Sequence, residues 1–400
     1  MRALSATTIA LALAACAPDS PFPNEPPSAV PPTAAAAAAG TGLLFTHVSP
    51  AGRSGFSCGV ATTAVAYCWG QGLFGELGDG SDTAVDRLSP FPVAGGHRFL
   101  DVRSNGYSCG VTTDYAAWCW GANTRGNLGD GTTTTSSVPV PVSGTRKFRQ
   151  IDVGADGHTC GVTLGNVLFC WGNNAFGQVG DKTRTERHLP VHVGGTLRFV
   201  EVSAGMLFTC AVSTDQRVFC WGLNRDGNLG DGTLRSHLAP HLVAGTQRYL
   251  QVSADAGIPG EHYACAVATT NRIFCWGSND AGRFGDGTRT SSLVPHAMPG
   301  SLRFTQVSAG ESYTCAVTTD HRGYCWGDGS NGQLGTGLVK RSLTPVPVAG
   351  GRYFQEIRTD EDHTCGVALS QRGLCWGSNF SGQLGDGTTD THLAPTVVGG

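Results

Sequence analysis

From residue 44 to 400, apolar and polar positions alternate in short runs, and Gly, Asn or Asp turns close each run. In Cys160-Gly-Val-Thr-Leu-Gly-Asn-Val-Leu-Phe-Cys170 the midpoint is Gly165 and Val162 falls opposite Leu168. That pattern predicts a short antiparallel hairpin. The hairpin belongs to a unit that recurs seven times with a period near 50 residues. The unit runs Arg-Phe-x-x-Val-Ser-Ala-Gly, a Cys hairpin ending in Trp-Gly, Asn-x-x-Gly-x-Leu-Gly-Asp-Gly-Thr, and then Pro-x-Pro-Val with Gly. The fourth unit carries it as Arg198-Phe199, Val202 to Gly205, Cys210, Cys220-Trp221-Gly222, Asn228 to Thr233, Pro240 and Val243.

Each unit supplies four short strands and no helical stretch. Four strands repeated seven times predict an all-β fold, a seven-bladed β-propeller of four-stranded antiparallel blades. Proline is confined to sheet edges, so Pro139, Pro141, Pro190, Pro240, Pro345 and Pro347 place the fourth strand outermost. The Val-Ser-Ala-Gly strand is then innermost, where small residues suit a crowded axis. The first unit starts near Phe45 and the last ends near Val398, so closure at a blade boundary stands as an alternative to strand exchange, and the sequence does not decide between them.

Composition agrees with tight turns between short strands. The chain has 58 Gly and 20 Pro, and only 14% of its residues are charged. Its 15 cysteines divide into seven C-x9-C pairs and a single Cys16. Cys58 pairs with Cys68, Cys109 with Cys119, Cys160 with Cys170, Cys210 with Cys220, Cys265 with Cys275, Cys315 with Cys325 and Cys365 with Cys375. Residues facing each other in a hairpin lie about 4.5–5.5 Å apart at Cα, within disulfide reach. Zinc sites prefer C-x2–4-C, which is absent from this sequence. The pairs are therefore expected to be disulfides, one per blade, in an oxidising compartment.

Residues 1–16 form an apolar leader behind Arg2, too short to span a bilayer and shaped like an export signal. Leu13-Ala14-Ala15-Cys16 resembles the lipobox of bacterial lipoproteins, which implies cleavage before Cys16 and lipidation of its thiol. Ala17 implies the outer membrane or cell surface. Residues 17–43, rich in Pro and Ala, read as a tether carrying the 44–400 propeller.

The Gly-x-x-His/Tyr-Thr/Ser-Cys, Cys-Trp-Gly-x-Asn and Gly382-Gln383-Leu384-Gly385-Asp386-Gly387 stretches resemble regulator-of-chromosome-condensation repeats. The resemblance covers all seven units and implies a seven-bladed propeller. The nuclear namesake is an exchange factor for a small GTPase, other members are light receptors or ubiquitin-ligase modules, and an exported bacterial relative caps β-lactamases. The export signal, the cysteine pairs and the net charge of −3 depart from the nuclear members.

Catalytic motifs do not survive inspection. Gly55-Phe56-Ser57-Cys58-Gly59 and Gly106-Tyr107-Ser108-Cys109-Gly110 match G-x-S-x-G but lack the strand–turn–helix elbow. The G-x-G-x-x-G matches at Gly70 and Gly327 lack a βαβ unit. Asp79, Asp130, Asp231, Asp286 and Asp386 read as Asp-Gly turns instead of calcium loops. The histidines contain no H-E-x-x-H, and no cofactor or metal ligand is assigned.

The expected function is a monomeric, non-enzymatic module that binds a protein or glycan of the cell envelope or exterior, and not nucleic acid. Two alternatives stand beside it: a GTPase exchange factor by family analogy, and an enzyme with its site in the central funnel. Candidate partner-binding residues are the ring two places before each first cysteine: Phe56, Tyr107, His158, Phe208, Tyr263, Tyr313 and His363. The ring could equally brace loops against neighbouring blades. The longer fifth-unit loop 255–262, with Glu261 and His262, and Asp360-Glu361-Asp362 join the candidates because they depart from the repeat.

Overall fold

A computed structural model of the chain describes residues 42–51, 55–81, 84–255, 257 and 260–399. The leader, Cys16 and all but the end of the tether lie outside the described residues. Twenty-eight strands, β1 to β28 in chain order, form seven four-stranded antiparallel sheets among the described residues. In the first blade these are β1 (Phe45–Ala51), β2 (Phe56–Ala61), β3 (Ala66–Gly70) and β4 (Arg87–Pro92), paired in that order. Every blade keeps to consecutive strands, so no strand is exchanged at the closure. The seventh blade meets the first through a bridge between Leu44 and Arg372 and a 2.7 Å bond from the Phe45 N–H to the Gln371 carbonyl.

The hairpin register matches the alternation in the sequence: Cys160 faces Cys170 and Val162 faces Leu168. All seven expected disulfides are formed, each joining the two middle strands of one blade. In chain order they link Cys58 to Cys68, Cys109 to Cys119, Cys160 to Cys170 and Cys210 to Cys220. The last three blades link Cys265 to Cys275, Cys315 to Cys325 and Cys365 to Cys375. Their Cα atoms are 4.0–4.1 Å apart, closer than the sequence-based expectation. Directly opposed, non-hydrogen-bonded residues make the closer kind of antiparallel pair.

The core lies between blades. One cluster combines Phe56, Cys58, Val60 and Cys68 of the first blade with Phe99, Val102 and Trp120 of the second. The Trp of each Cys-Trp-Gly is buried, and its indole N–H reaches back to the preceding blade's loop. Trp120 donates to the Glu76 carbonyl and Trp69 to that of Gln383, both at 2.9 Å. The Leu-Gly step of that loop lies on the indole. A Cβ on Gly385, whose φ is +69°, would come within 2.6 Å of Trp69, so only glycine fits.

The Asp-Gly turn is explained by its own bonds. Asp231 Oδ1 accepts the Thr233 N–H at 2.9 Å and its hydroxyl at 2.8 Å. Asn224 donates to the carbonyls of Thr233 and Arg235 and accepts the Leu229 N–H at 3.0 Å. One carboxylate and one amide thus hold the whole Asn-to-Thr loop.

Candidate functional site

The seven ring residues do not form an accessible surface. All of them are buried, with Tyr107 the most exposed at 2%. They latch each blade to the next. Tyr107 donates to the His158 carbonyl at 2.7 Å, and its oxygen lies 2.8 Å from the Thr159 hydroxyl. Tyr263 and Tyr313 repeat this toward Tyr313 and His363, each with a 2.7 Å bond. His158 Nε2 lies 3.0 Å from the Thr209 hydroxyl, and His363 Nε2 lies 2.9 Å from that of Ser57. Phe208 has no polar tip, and the hydroxyl position of the following blade is Ala264, in the same core cluster. Phe56 is likewise buried and apolar. The bracing role therefore replaces the expected recognition ring.

The departing loops divide in the same way. His262 is fully buried, with Nδ1 3.5 Å from an Asp255 oxygen. Burial works to lower its pKa, but the Asp255 carboxylate overrides this and raises it. Glu261 stays partly exposed and pairs with Arg283, a buried guanidinium that also donates to the Glu311 carbonyl at 2.9 Å. Asp360 is buried, and its carbonyl accepts the Glu311 N–H at 3.0 Å. Asp362 lies 3.5 Å from His363. Burial acts to raise the Asp362 pKa, yet His363 and Ser378 hold it below the ordinary range. Of the five candidate residues on these loops, Glu261, Glu361 and Asp362 keep part of their surface in solvent, and His262 and Asp360 do not.

Sequence reasoning missed a charged knot on the axis. The inner strands β1, β5 (Phe99–Ser104), β9 (Phe148–Gly154), β13 (Phe199–Ala204), β17 (Tyr249–Ala254), β21 (Phe304–Ala309) and β25 (Phe354–Thr359) surround it. Two places after each leading aromatic stand His47, Asp101, Gln150, Glu201, Gln251, Gln306 and Glu356. Gln150, Gln251 and Gln306 each clasp the next inner strand, accepting an N–H and donating to a carbonyl of one residue. Glu201 and Glu356 accept the N–H groups of Val252 at 3.2 Å and Val48 at 2.9 Å. His47 bridges Asp101 at 2.6 Å and Glu356 at 2.9 Å. Burial acts to lower the His47 pKa, but these two carboxylates raise it. They are themselves held low despite burial: Asp101 by Arg103 and His47, and Glu356, at about 2, by His47 and Arg358. Glu201, without such a partner, is pushed up to about 8 by burial.

Arg103, Asp152 and Arg358 stand one step along these strands and line a funnel of about 80 Å³. Acids and bases thus converge on the axis, as a funnel enzyme requires. The space is well short of the roughly 300 Å³ at which ligand pockets begin. Most of the charged groups are spent on each other and on neighbouring backbone. The usable signal in the sequence was the variation two and four places after each inner-strand aromatic.

Open apolar surface lies on the loops that follow the Cys-Trp-Gly strands. Phe380 is 80% exposed, Phe74 59% and Leu73 48%. The loop carrying Phe380 reaches the first blade: a Cβ on Gly55 would lie 3.1 Å from the Ser381 hydroxyl. Leu73 and Phe74 leave that same end of the first blade and border a groove against Ser136 and Ser137 of the second. Their signal was an apolar residue at the x positions of Asn-x-x-Gly, where Arg125 and Asp226 stand in other blades.

Comparison with known proteins gives a consistent family. The description of an RCC1-like domain matches residues 65–399. The chain is 33% identical to the Ultraviolet-B receptor UVR8 of Arabidopsis thaliana over 138 residues, 32% of this chain and 30% of that protein. It is 26% identical to the human E3 ubiquitin-protein ligase HERC2 over 253 residues, 60% of this chain and 5% of that one. The chain therefore spans less than a third of the length of these relatives. Among solved structures, human WBSCR16 is similar at 21% identity and a TM-score of 0.72, over 84% of this chain and 93% of that one. Yeast RCC1 (Prp20), solved with Kap60, is similar at 17% identity and a TM-score of 0.73, over 90% and 85%. These structural likenesses concern the fold alone. With the family description covering the repeats and the blades built as that family builds them, the chain belongs to the RCC1-like domain family.

Proposed function

We propose that this chain is a non-enzymatic protein-binding module, held outside the cytoplasm by lipid on Cys16, whose partner docks on the loops bearing Leu73, Phe74 and Phe380. The carrying observation is the exposure of three large apolar side chains on adjoining loops of an otherwise closed scaffold. Exposed aromatic side chains are favoured anchors at protein interfaces. A yeast protein of the same fold, RCC1 (Prp20), is seen bound to another protein, Kap60. Seven disulfides support an oxidising compartment and tell against an exchange factor working among reduced thiols. The small, internally paired funnel gives an enzyme little room.

The test is crosslinking in the native host, with full-length wild type beside Phe74→Ser and Phe380→Ser. Loss of one discrete crosslinked protein in both variants, at unchanged melting temperature, is expected. An unchanged crosslink pattern overturns the docking site. Intact mass showing an unmodified Cys16 and a retained Met1 overturns the anchor. Capture of a polysaccharide in place of a protein would redirect the reading to a glycan.

A further inference from the structure

The fourth blade carries a side-chain constellation that the other blades only approach. In four blades one basic residue of the outer strand pairs with the turn aspartate: Arg87 with Asp79, Arg187 with Asp181, His296 with Asp286 and His392 with Asp386. In the fourth blade two do so. Asp231 Oδ2 lies 2.9 Å from His237 Nε2 and 3.7 Å from His241 Nε2. The turn needs only Asp231 Oδ1, which serves Thr233. One basic partner satisfies Oδ2 elsewhere, so the second imidazole is surplus to the fold.

Backbone irregularity brings the two rings together. In β16 (His237–Leu242), His237 faces Gly222 and His241 faces Cys220, so three residues including Pro240 oppose Trp221 alone. The bulge stacks the imidazoles, with centroids 3.8 Å apart and planes within 4°. Three donors, two imidazole nitrogens and a carboxylate oxygen, all lie within 4.8 Å of one another. Four ligands at about 2.0–2.1 Å in a tetrahedron stand about 3.3 Å apart. The observed 2.9 and 3.7 Å separations bracket that value.

We propose that Asp231, His237 and His241 bind one divalent transition-metal ion of the zinc class on the outer strand of the fourth blade. Imidazole with carboxylate suits zinc, nickel, copper and cobalt better than calcium or magnesium. Asp231 is almost wholly buried and fixed by its turn, so it forms the rigid corner. His241 is half exposed and must rotate out of the parallel stack to aim its lone pair at the ion. The fourth position faces solvent and takes water or a donor atom from another molecule.

The test is titration of Zn²⁺, and of Co²⁺ followed by its visible absorption, into the untagged, oxidised full-length protein after chelator treatment. Expected are one strong ion per chain and a tetrahedral Co²⁺ spectrum. His241→Ala, an exposed change with no structural burden, should weaken binding at least ~10-fold. His296→Ala, the single histidine of the fifth blade's outer strand, should leave it unchanged. No binding up to about 1 mM, or equal affinity in His241→Ala, overturns the site.

Discussion

Ser57 of the first blade accepts a hydrogen bond from His363 of the last at 2.9 Å and passes one on to the Gln383 carbonyl, also at 2.9 Å. With no strand shared across this seam, that buried chain of bonds acts with the Phe45–Gln371 backbone bond, the Trp69 indole and the packing around them to hold the ring shut. Either single change, Ser57→Ala or His363→Phe, leaves a buried polar group without its partner and should cost about 1–3 kcal/mol. The double change recreates the Phe208–Ala264 pair found between the fourth and fifth blades. It should therefore cost about 1 kcal/mol less than the sum of the singles. Denaturant unfolding of the four proteins measures the coupling, and strict additivity would remove His363 from ring closure.

Two neighbouring glycines separate backbone freedom from steric room. Gly385 has φ +69° and lies on Trp69, whereas Gly387 has φ +86° with its nearest neighbour, the Ser89 hydroxyl, at 3.6 Å. Gly387→Ala should cost about 1–2 kcal/mol for the left-handed backbone alone. Gly385→Ala adds overpacking of roughly 1–3 kcal/mol and should shift the Trp69 fluorescence. Equal costs in thermal unfolding would mean that the loop yields freely over the indole.

Arg283 occupies a position held by Gln178, Gln333 and Gln383 in other blades, and Glu261 of the longer loop is its counter-ion. Glu261→Ala leaves a buried guanidinium with one partner fewer. Because Glu261 is 43% exposed, the loss should be nearer 1–2 kcal/mol than the roughly 3–5 kcal/mol of a fully buried pair. Arg283→Gln in the same chain should restore stability, since Gln needs no counter-ion. Failure of that rescue would show that Glu261 supports the loop by some other contact.

Glu201 gives the inner ring a pH dependence. Burial first, and then the charge of Asp152, raise its pKa from 4.5 to about 8, against the pull of Arg358 and Arg103. Between those values the folded chain holds a proton that the unfolded chain has released, so stability falls as pH rises through this window. It is undiminished below the unfolded value and lowest above about pH 8. Glu201→Gln removes the titration and can clasp Val252 as Gln251 clasps Val307. The melting-temperature gap between variant and wild type should widen from pH 4.5 to 8 and then level off. A constant gap would mean that the carboxyl ionises freely at the funnel wall.

Whereas the mode of ring closure was not legible in the sequence, strand count, cysteine pairing and the outer position of the prolines were. Period-2 alternation and the repeat phase report on local pairing, which decides those features. Depth was not legible. The strand from Phe56 to Ala61 is buried on both faces because blades stack on both sides of it, so alternation could not separate exposed aromatics from braced ones. The axial knot was hidden because His47, Asp101 and Glu356 come from different repeats and meet only when the ring closes. His237 and His241 would stand about 13 Å apart in a regular strand. The bulge opposite Trp221, which carries Pro240 and recurs at a proline in the other blades, is what stacks them.

Every disulfide here joins two strands of the same blade, and none among the described residues joins one blade to another. For a protein pulled from its ends, this sets an order of failure. The seams between blades rest on packing, side-chain bonds and a few backbone bonds, all non-covalent, so tension should part the ring there first, at the junction of the first and last blades. Each released blade would still carry a covalent loop that limits its extension and keeps its central hairpin ready to re-form. Oxidation in this chain thus does little to fasten the ring as a whole. It makes each blade a recoverable unit when the ring is forced open.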